Sequence, residues 1–198
     1  VLPSATAYLP GQKAKVQLKL TDKEGKPDVG STVVAIYDKA LAKLEAQGGY
    51  LVSPEEKARL QNTLWEDGHL NTAIVAQPAE KIASMANIDL PEGKTFFIVP
   101  ETGAGPDYPF SGEKLSVVMA LYRVKDIDEA IAMTNRIQAY QGQGHSCGIY
   151  SYNDDNIMKL AMPTRTSRLM VNQPQAPSNS GNLWNGMRQT FSLGCGSW

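Results

Sequence analysis

Glu113 lies in a Ser-Gly turn directly before an apolar run, in the stretch PFSGEKLSVVMALYRVKD of residues 109–126. Ligands of open α/β sheets collect at strand ends, and one carboxylate can accept hydrogen bonds from the two neighbouring hydroxyls of a ribose. A glutamate in a solvated turn, paired with the adjacent Lys114, would have the same local sequence. The position alone therefore leaves a ribose-binding and a purely structural interpretation open.

A histidine and two cysteines form a second group of candidates. His145 stands between glycines in GQGHSCGIY, just before a predicted strand, where an imidazole can stabilise or shuttle charge at a reacting carbonyl. A histidine packed in a turn is the alternative. A nucleophilic thiol needs exposure and a positive neighbour or base. Cys147 enters an apolar strand and is better interpreted as a small core residue, and Cys195 has no evident base.

Other chemistries have little support in the sequence. Arg165 and Arg168 could contact phosphates, although surface arginines need no such role. No GxGxxG motif follows a predicted strand, so no dinucleotide-binding loop is predicted. The two histidines, His69 and His145, are isolated, and no Cys/His spacing suits a metal, so we expect no metal site.

Composition narrows the class of protein. The 198 residues include 19 basic and 20 acidic side chains. This balance shows no excess of positive charge that would indicate binding to nucleic acid or to an anionic membrane. No apolar run approaches the roughly 20 residues that span a bilayer, and no signal-peptide pattern is visible. Two cysteines are too few for a disulfide scaffold, so we expect a reduced, cytoplasmic setting.

Two patterns of secondary structure divide the chain. Residues 13–21, KAKVQLKLT, alternate apolar and polar side chains and predict a half-buried antiparallel strand, and STVVAIYD at 31–38 predicts a second one after a turn. We therefore assign residues 1–37 to a β-hairpin segment, and residues 38–198 to one α/β domain. In that domain, five apolar runs predict strands: 72–77, 95–99, 116–122, 147–151 and 168–172.

The helices between these runs have clear start signals. Ser53, Pro54 and Glu56 form a capping box, and Asp126 with Glu129 is expected to act in the same way. Continuous apolar strands separated by capped helices predict a mostly parallel sheet with helices on both faces. Residues 173–198 are rich in Asn, Gly, Pro and Ser and predict a long loop.

Six stretches together resemble one family. GGYL, EDGHLNTAIVAQPAEKIA, PFSGEKLSVVMALYRVKD, YQGQGHSCGIYS, TRTSRLMVNQPQ and TFSLGCGSW are similar to the catalytic domain of CoA-acylating aldehyde dehydrogenases. The sulfoacetaldehyde type and the bifunctional aldehyde–alcohol type are most similar, over about residues 43–198. That family joins an aldehyde to coenzyme A through a cysteine thioester and passes a hydride to a nicotinamide cofactor. The resemblance implies NAD(P) and coenzyme A as cofactors and a small aldehyde as substrate.

The same resemblance implies roles for individual residues. Glu113 corresponds to the glutamate that binds the nicotinamide-side ribose, and Leu115 stands where the wider superfamily has an aromatic residue beside the cofactor. His145 corresponds to a charge-stabilising histidine particular to the acylating branch. Cys147 and Cys195 match cysteines that are not nucleophiles. The place of the family's nucleophilic cysteine reads DKEGKPDVG, without a thiol, and the residues before it are too few for the family's Rossmann domain.

The first 41 residues resemble a different group, the β-sandwich segments of bacterial alpha-2-macroglobulin-like proteins. The whole is therefore expected to be a chimera: an incomplete aldehyde dehydrogenase catalytic domain, inactive alone, behind a foreign β segment. One alternative is that Cys147 or Cys195 has taken over as nucleophile. Another is a non-enzymatic module that self-associates, as a homo-oligomer or otherwise, through exposed sheet edges.

Overall fold

A computed structural model of the chain describes residues 2–3, 16–17, 39–181, 185–187 and 189. The chain divides into two compact units, Val1–Lys43 and Leu44–Trp198. In the first unit, strand β1 (Leu2–Pro3) pairs antiparallel with strand β2 (Val16–Gln17).

Strand β2 falls within the predicted alternating strand 13–21. The rest of that prediction, the following turn and the predicted strand 31–38 lie outside the described residues. The resemblance of residues 1–41 to a macroglobulin segment, the chimera and the division at residue 37 therefore stay predictions.

From residue 39 onward helices and strands alternate. In chain order they are α1 (Lys39–Ala46), β3 (Gly49–Leu51), α2 (Pro54–Leu64), β4 (Trp65–Glu66), β5 (His69–Leu70), α3 (Ala79–Ala86), β6 (Phe96–Glu101), β7 (Val118–Tyr122), α4 (Ile127–Tyr140), β8 (Gly144–Ile149), α5 (Asp154–Ala161), β9 (Thr166–Val171) and α6 (Gln175–Asn179). Two short 3₁₀ turns, Thr72–Ile74 and Pro109–Ser111, lie in the connections.

The strands form small, mostly parallel sheets. Strands β3, β6 and β7 make a three-stranded parallel sheet with β6 in the centre, and β8 pairs in parallel with β9. Strands β4 and β5 form a short antiparallel hairpin. The predicted α/β class with parallel strands and intervening helices is thus confirmed.

The central position of β6 in its sheet explains why residues 96–99 are continuously apolar. Phe97 and Val99 point into a buried cluster with Leu60 and Leu64 of α2. Ile98, between them, is also fully buried but lies outside that cluster. Because successive strand side chains alternate between faces, both faces of β6 are covered.

The predicted helix starts are confirmed. Ser53 Oγ accepts a hydrogen bond from the Glu56 backbone N–H at 3.2 Å, and the Glu56 carboxylate accepts one from the Ser53 N–H at 2.8 Å. Asp126 likewise caps α4 by accepting from the Glu129 N–H at 2.8 Å. The Glu129 carboxylate, however, accepts from the Lys125 N–H, one residue earlier than a capping box requires.

Two local predictions are wrong. Residues 72–77 do not form a strand, because Asn71 caps a 3₁₀ turn through the Ala73 N–H and Ala76 then adopts a positive φ of 54°. The predicted loop 173–198 contains α6, which begins directly after Pro174, whose fixed φ suits the start of a helix. Strands β3, β4 and β5 were not predicted, since two or three residues are too few for a clear alternation.

Candidate functional site

Glu113 lies in the segment that joins the 3₁₀ turn Pro109–Ser111 to β7. The side chain is exposed, and among the described residues its carboxylate makes no hydrogen bond to another group. The segment precedes β7, so Glu113 stands at the amino end of that strand. The general rule about ligands refers to carboxyl ends, so it gives this position no support.

Lys114 fixes the backbone just before Glu113. Its Nζ donates to the carbonyl oxygens of Phe110 at 2.8 Å and Gly112 at 2.7 Å. Burial lowers the pKa of Lys114 to about 8, although the charge of Glu113 acts in the opposite direction. The ion pair between Glu113 and Lys114, the structural alternative from the sequence, is not formed, because the ammonium is directed at the two carbonyls instead.

Leu115 adopts a strained backbone conformation. Its φ is 46°, in the left-handed region that a residue other than glycine adopts only at a cost of about 1 kcal/mol or more. A hydrogen bond of 2.9 Å from the Ala76 N–H to the Leu115 carbonyl holds it there. The side chain is 54% exposed and lines a cavity of about 400 Å³ with Gln77 and Pro78. An apolar surface therefore lies two residues from the Glu113 carboxylate.

His145 is the second residue of β8, inside the strand rather than just before it as predicted. Its N–H donates to the Gly142 carbonyl at 3.0 Å, and its carbonyl accepts from Ser167 Oγ of β9 at 2.8 Å. The imidazole Nδ1 lies 2.8 Å from Ser146 Oγ. The half-buried ring is thus attached to a backbone that is fixed on both sides.

Gln141 joins the Glu113 segment to the end of α4, the helix that precedes the His145 strand. It ends α4, and its Oε1 accepts a hydrogen bond of 2.8 Å from the Glu113 N–H. His145 follows only four residues later in the chain. We call this side of the domain, where β7 and β8 begin, the amino edge.

The remaining candidates take ordinary positions. Cys147 is half-buried in β8 with its thiol 3.7 Å from Thr166 Oγ1, and among the described residues no hydrogen bond joins the thiol to a base. Cys195 lies outside the described residues. Arg168 Nη1 contacts Asn179 Oδ1 at 3.5 Å, and Arg165 lines an open cavity of about 370 Å³ with Gln138 and Gln143.

The opposite side, where β3, β6 and β7 end, holds a charged pair that sequence reasoning missed. We call this side of the domain the carboxyl edge. Glu101, buried at the end of β6, accepts hydrogen bonds from Lys57 Nζ and from the Thr102 N–H, each at 2.9 Å. Burial, reinforced by the charge of Glu101, raises the pKa of Tyr122 to about 12. The signal was present, because Glu101 follows the predicted strand 95–99 by two residues.

A cavity of about 450 Å³ opens at the carboxyl edge between the sheet and α4. Its lining includes Leu51, Tyr122, Arg123 and Met133. In the described part of the chain, no group of three or more His, Cys, Asp or Glu side chains could hold a metal ion. No helix there is long and apolar enough to cross a bilayer.

The structure is an α/β domain of parallel strands with an exposed carboxylate just before β7 and a fixed histidine in β8. Known proteins with similar sequences are acylating aldehyde dehydrogenases. The sulfoacetaldehyde dehydrogenase (acylating) of Cupriavidus necator is 39% identical over 168 residues, which cover 84% of this chain and 34% of that protein. The bifunctional aldehyde-alcohol dehydrogenase of Escherichia coli K12 is 34% identical over 170 residues, covering 84% of this chain and 19% of that protein.

A solved structure supports the same relationship. The acetylating aldehyde dehydrogenase from Geobacillus thermoglucosidasius superposes with a TM-score of 0.69 and 33% identity, over 71% of this chain and 31% of that one. No family model matches the chain. The chain spans about a third of the length of the sulfoacetaldehyde dehydrogenase. Its similarity to acylating aldehyde dehydrogenases is nevertheless established over most of its own length.

The match is also wider than predicted. A similarity over 84% of the chain is longer than residues 43–198, so it reaches upstream of residue 43. The resemblance on which the sequence interpretation depended is therefore confirmed for the aldehyde dehydrogenase part.

Proposed function

We propose that this chain supplies catalytic-domain residues of a CoA-acylating, NAD(P)-dependent aldehyde dehydrogenase that acts on a small aldehyde. The observation that carries the proposal is the exposed Glu113 carboxylate on a fixed segment. Lys114 Nζ bonds two carbonyls before it, Gln141 accepts its N–H, and Ala76 bonds the carbonyl of Leu115 after it. A carboxylate held in this way can accept two ribose hydroxyls with little loss of conformational freedom.

The residues present fit the nicotinamide side of such a cofactor. Glu113 would bind the ribose, and the exposed Leu115 would lie against the apolar face of the cofactor. His145 would stabilise charge at the reacting carbonyl oxygen. The bound nicotinamide would accept the hydride, and coenzyme A would accept the acyl group.

The first test is binding. NADH should give saturation-transfer NMR signals with the purified chain, including signals from the nicotinamide-side ribose protons. Glu113→Gln keeps the shape but removes the charge, so we expect affinity to fall about tenfold, the loss of one charge-assisted hydrogen bond. Glu92→Gln, a change at another exposed turn glutamate, is the matched control and should leave binding unchanged. Equal affinity in both variants would contradict the role of Glu113.

The second test is turnover. The only thiols in the 198 residues are Cys147 and Cys195, and neither has an identified base. We therefore expect no NADH to form when the chain is mixed with NAD(P)⁺, coenzyme A and short aldehydes. Steady turnover that Cys147→Ser or Cys195→Ser abolishes would show instead that one of these thiols is the nucleophile.

A non-enzymatic, self-associating module is the second candidate, because β3 and β7 each leave one side unpaired within the described part of the three-stranded sheet. Exposed strand edges of this kind pair readily with a second chain. Light scattering over a range of concentrations distinguishes the candidates, since a concentration-dependent mass without NADH binding would favour the module. A cytoplasmic location also stays a prediction.

A further inference from the structure

Ser146 connects the His145 ring to helix α6. Its Oγ lies 2.8 Å from His145 Nδ1 and 2.7 Å from Gln175 Nε2, which donates to it. Gln175 is the first residue of α6, 29 positions further along the chain. The three polar side chains therefore form a short row from His145 in β8 to the start of α6, the third element after β8.

The number of available protons decides the direction of the hydrogen bonds. A serine hydroxyl has one proton to donate and two lone pairs to accept with. The Gln175 N–H occupies one lone pair, and His145 Nδ1 is the one acceptor that the described residues offer to the hydroxyl proton. If Nδ1 carried a proton instead, the Ser146 proton would have no acceptor among the described residues and would lose this internal hydrogen bond.

We propose that Ser146 and Gln175 are positioning residues that hold neutral His145 with Nδ1 as acceptor and its proton on Nε2. The backbone supports this arrangement, because the Ser167 hydroxyl shares its one proton between the carbonyls of Gly144 and His145, and the Gly144 N–H donates to the Arg165 carbonyl at 2.7 Å. With the backbone fixed, the choice of tautomer determines which ring nitrogen can donate.

The consequence for chemistry rests on the proposed function. An Nε2–H kept as a donor in the neutral ring can stabilise an oxygen that gains negative charge without a prior protonation step. Ser146 and Gln175 would then act on the reaction only through His145, and neither would touch the substrate.

Histidine NMR tests the tautomer directly. The chain has two histidines, so ¹⁵N-histidine labelling gives two sets of ring signals, and the exposed His69 is an internal reference. Spectra are recorded about two pH units above the ordinary histidine pKa of about 6.5, where the ring is neutral. We expect His145 to carry its proton on Nε2 almost completely and Nδ1 to show the shift of a hydrogen-bonded acceptor.

Variants separate positioning from general damage. Ser146→Ala should lower the Nε2–H to Nδ1–H ratio of His145 about fivefold, the equivalent of one hydrogen bond of about 1 kcal/mol. Ser146→Thr should restore the ratio, because it restores the hydroxyl. Gln175→Ala changes an exposed residue of α6 and should produce a smaller fall in the same direction, so the proposal stays testable if Ser146→Ala does not fold.

Two results would overturn the proposal. A proton on Nδ1 would mean that His145 donates to Ser146 and that the Gln175 amide is turned the other way round. A ratio that neither Ser146→Ala nor Gln175→Ala changes would mean that the row has no influence on the ring. Because the tautomer is measured without cofactor or aldehyde, a chain that binds no NADH but shows the predicted tautomer would contradict the proposed function alone.

Discussion

The two edges of the domain hold carboxylates in opposite states. At the carboxyl edge, Glu101 is buried and both of its oxygens accept hydrogen bonds, from Lys57 Nζ and the Thr102 N–H. At the amino edge, Glu113 is exposed. The hydrogen bonds around it involve the backbone, namely the Glu113 N–H and the Gly112 carbonyl, and not its carboxylate. The buried carboxylate at the carboxyl edge is part of the packing of the fold, whereas the exposed carboxylate at the amino edge is the one to which we assign a ligand in the proposed function.

This difference shows why position relative to a strand is a weak guide to function. The rule for open α/β sheets points to the carboxyl edge, where a cavity of about 450 Å³ lies beside Tyr122. Glu101 and Tyr122 already have partners there, for Tyr122 donates its hydroxyl proton to the Gly103 carbonyl at 3.0 Å and Glu101 accepts from Lys57 and Thr102. The strained Leu115 and the carboxylate of Glu113 mark the amino edge as the better candidate.

The largest expected effect concerns stability at the carboxyl edge. Lys57→Met removes the cation from Glu101, whose side chain is 4% exposed, while Lys57 itself is 28% exposed. We expect the free energy of unfolding in a denaturant titration to fall by about 3 kcal/mol, since an unpaired buried carboxylate remains. NADH binding at the other edge should be unchanged in the folded variant.

A surface ion pair is the control for this change. Lys159 and Asp128 also pair at 2.9 Å, but their side chains are 52% and 70% exposed. Lys159→Met should therefore lower stability by less than about 1 kcal/mol. Equal losses at Lys57 and Lys159 would show that burial of Glu101 is not what distinguishes the carboxyl edge.

The next effect concerns the packing that holds the Glu113 segment. A Cβ at Gly112 would lie 2.6 Å from Gln141 Oε1 and 3.1 Å from the Tyr140 ring. Gly112 has a φ of −84°, which alanine adopts without strain, so Gly112→Ala acts through these side-chain contacts, the shortest of which is with Gln141, rather than through the backbone. We expect it to destabilise the chain by about 2 kcal/mol and to weaken NADH binding, because Gln141 can no longer accept from the Glu113 N–H.

A double-mutant cycle identifies the contact. In a Gln141→Ala background the obstructing oxygen is absent, so Gly112→Ala should then destabilise by about 1 kcal/mol less than in the original chain. Additive effects of the two substitutions would show that Gly112 is required for another reason.

Sequence reasoning succeeded where a local pattern alone fixes the structure. The Ser53 capping box, the apolar run of β6 and the Asp126 cap each depend on residues within a few positions of one another, and the structure has all three. The roles of Glu113 and His145 were assigned through the family resemblance, and the bond from the Glu113 N–H to Gln141, 28 positions away, could not be predicted from spacing.

The failures came from contacts between distant residues. The neutral, apolar stretch 72–77 looks like a strand, but the Asn71 cap and the bond from Ala76 to Leu115, 39 positions away, bend it into a turn. The pairing of Glu101 with Lys57 joins residues 44 positions apart. The place of Glu101 after a predicted strand was visible in the sequence, but nothing local shows which distant residue it or Ala76 bonds to, so only the tertiary structure reveals these pairings.

The smallest expected effect is a difference in pH dependence between the edges. The pKa of Lys114 is about 8 in the folded chain against an ordinary 10.5, so from about pH 8 upward the unfolded chain binds the extra proton and stability rises with pH. The pKa of Tyr122 is about 12 against an ordinary 10.0, so its contribution is present below pH 10 and is lost as the pH rises through 12.

We expect the free energy of unfolding to rise by no more than about 1 kcal/mol between pH 8 and 9 in urea titrations. Lys114→Met should abolish this gain and Tyr122→Phe should leave it intact, whereas a gain that survives Lys114→Met would exclude the buried ammonium at the amino edge as its source.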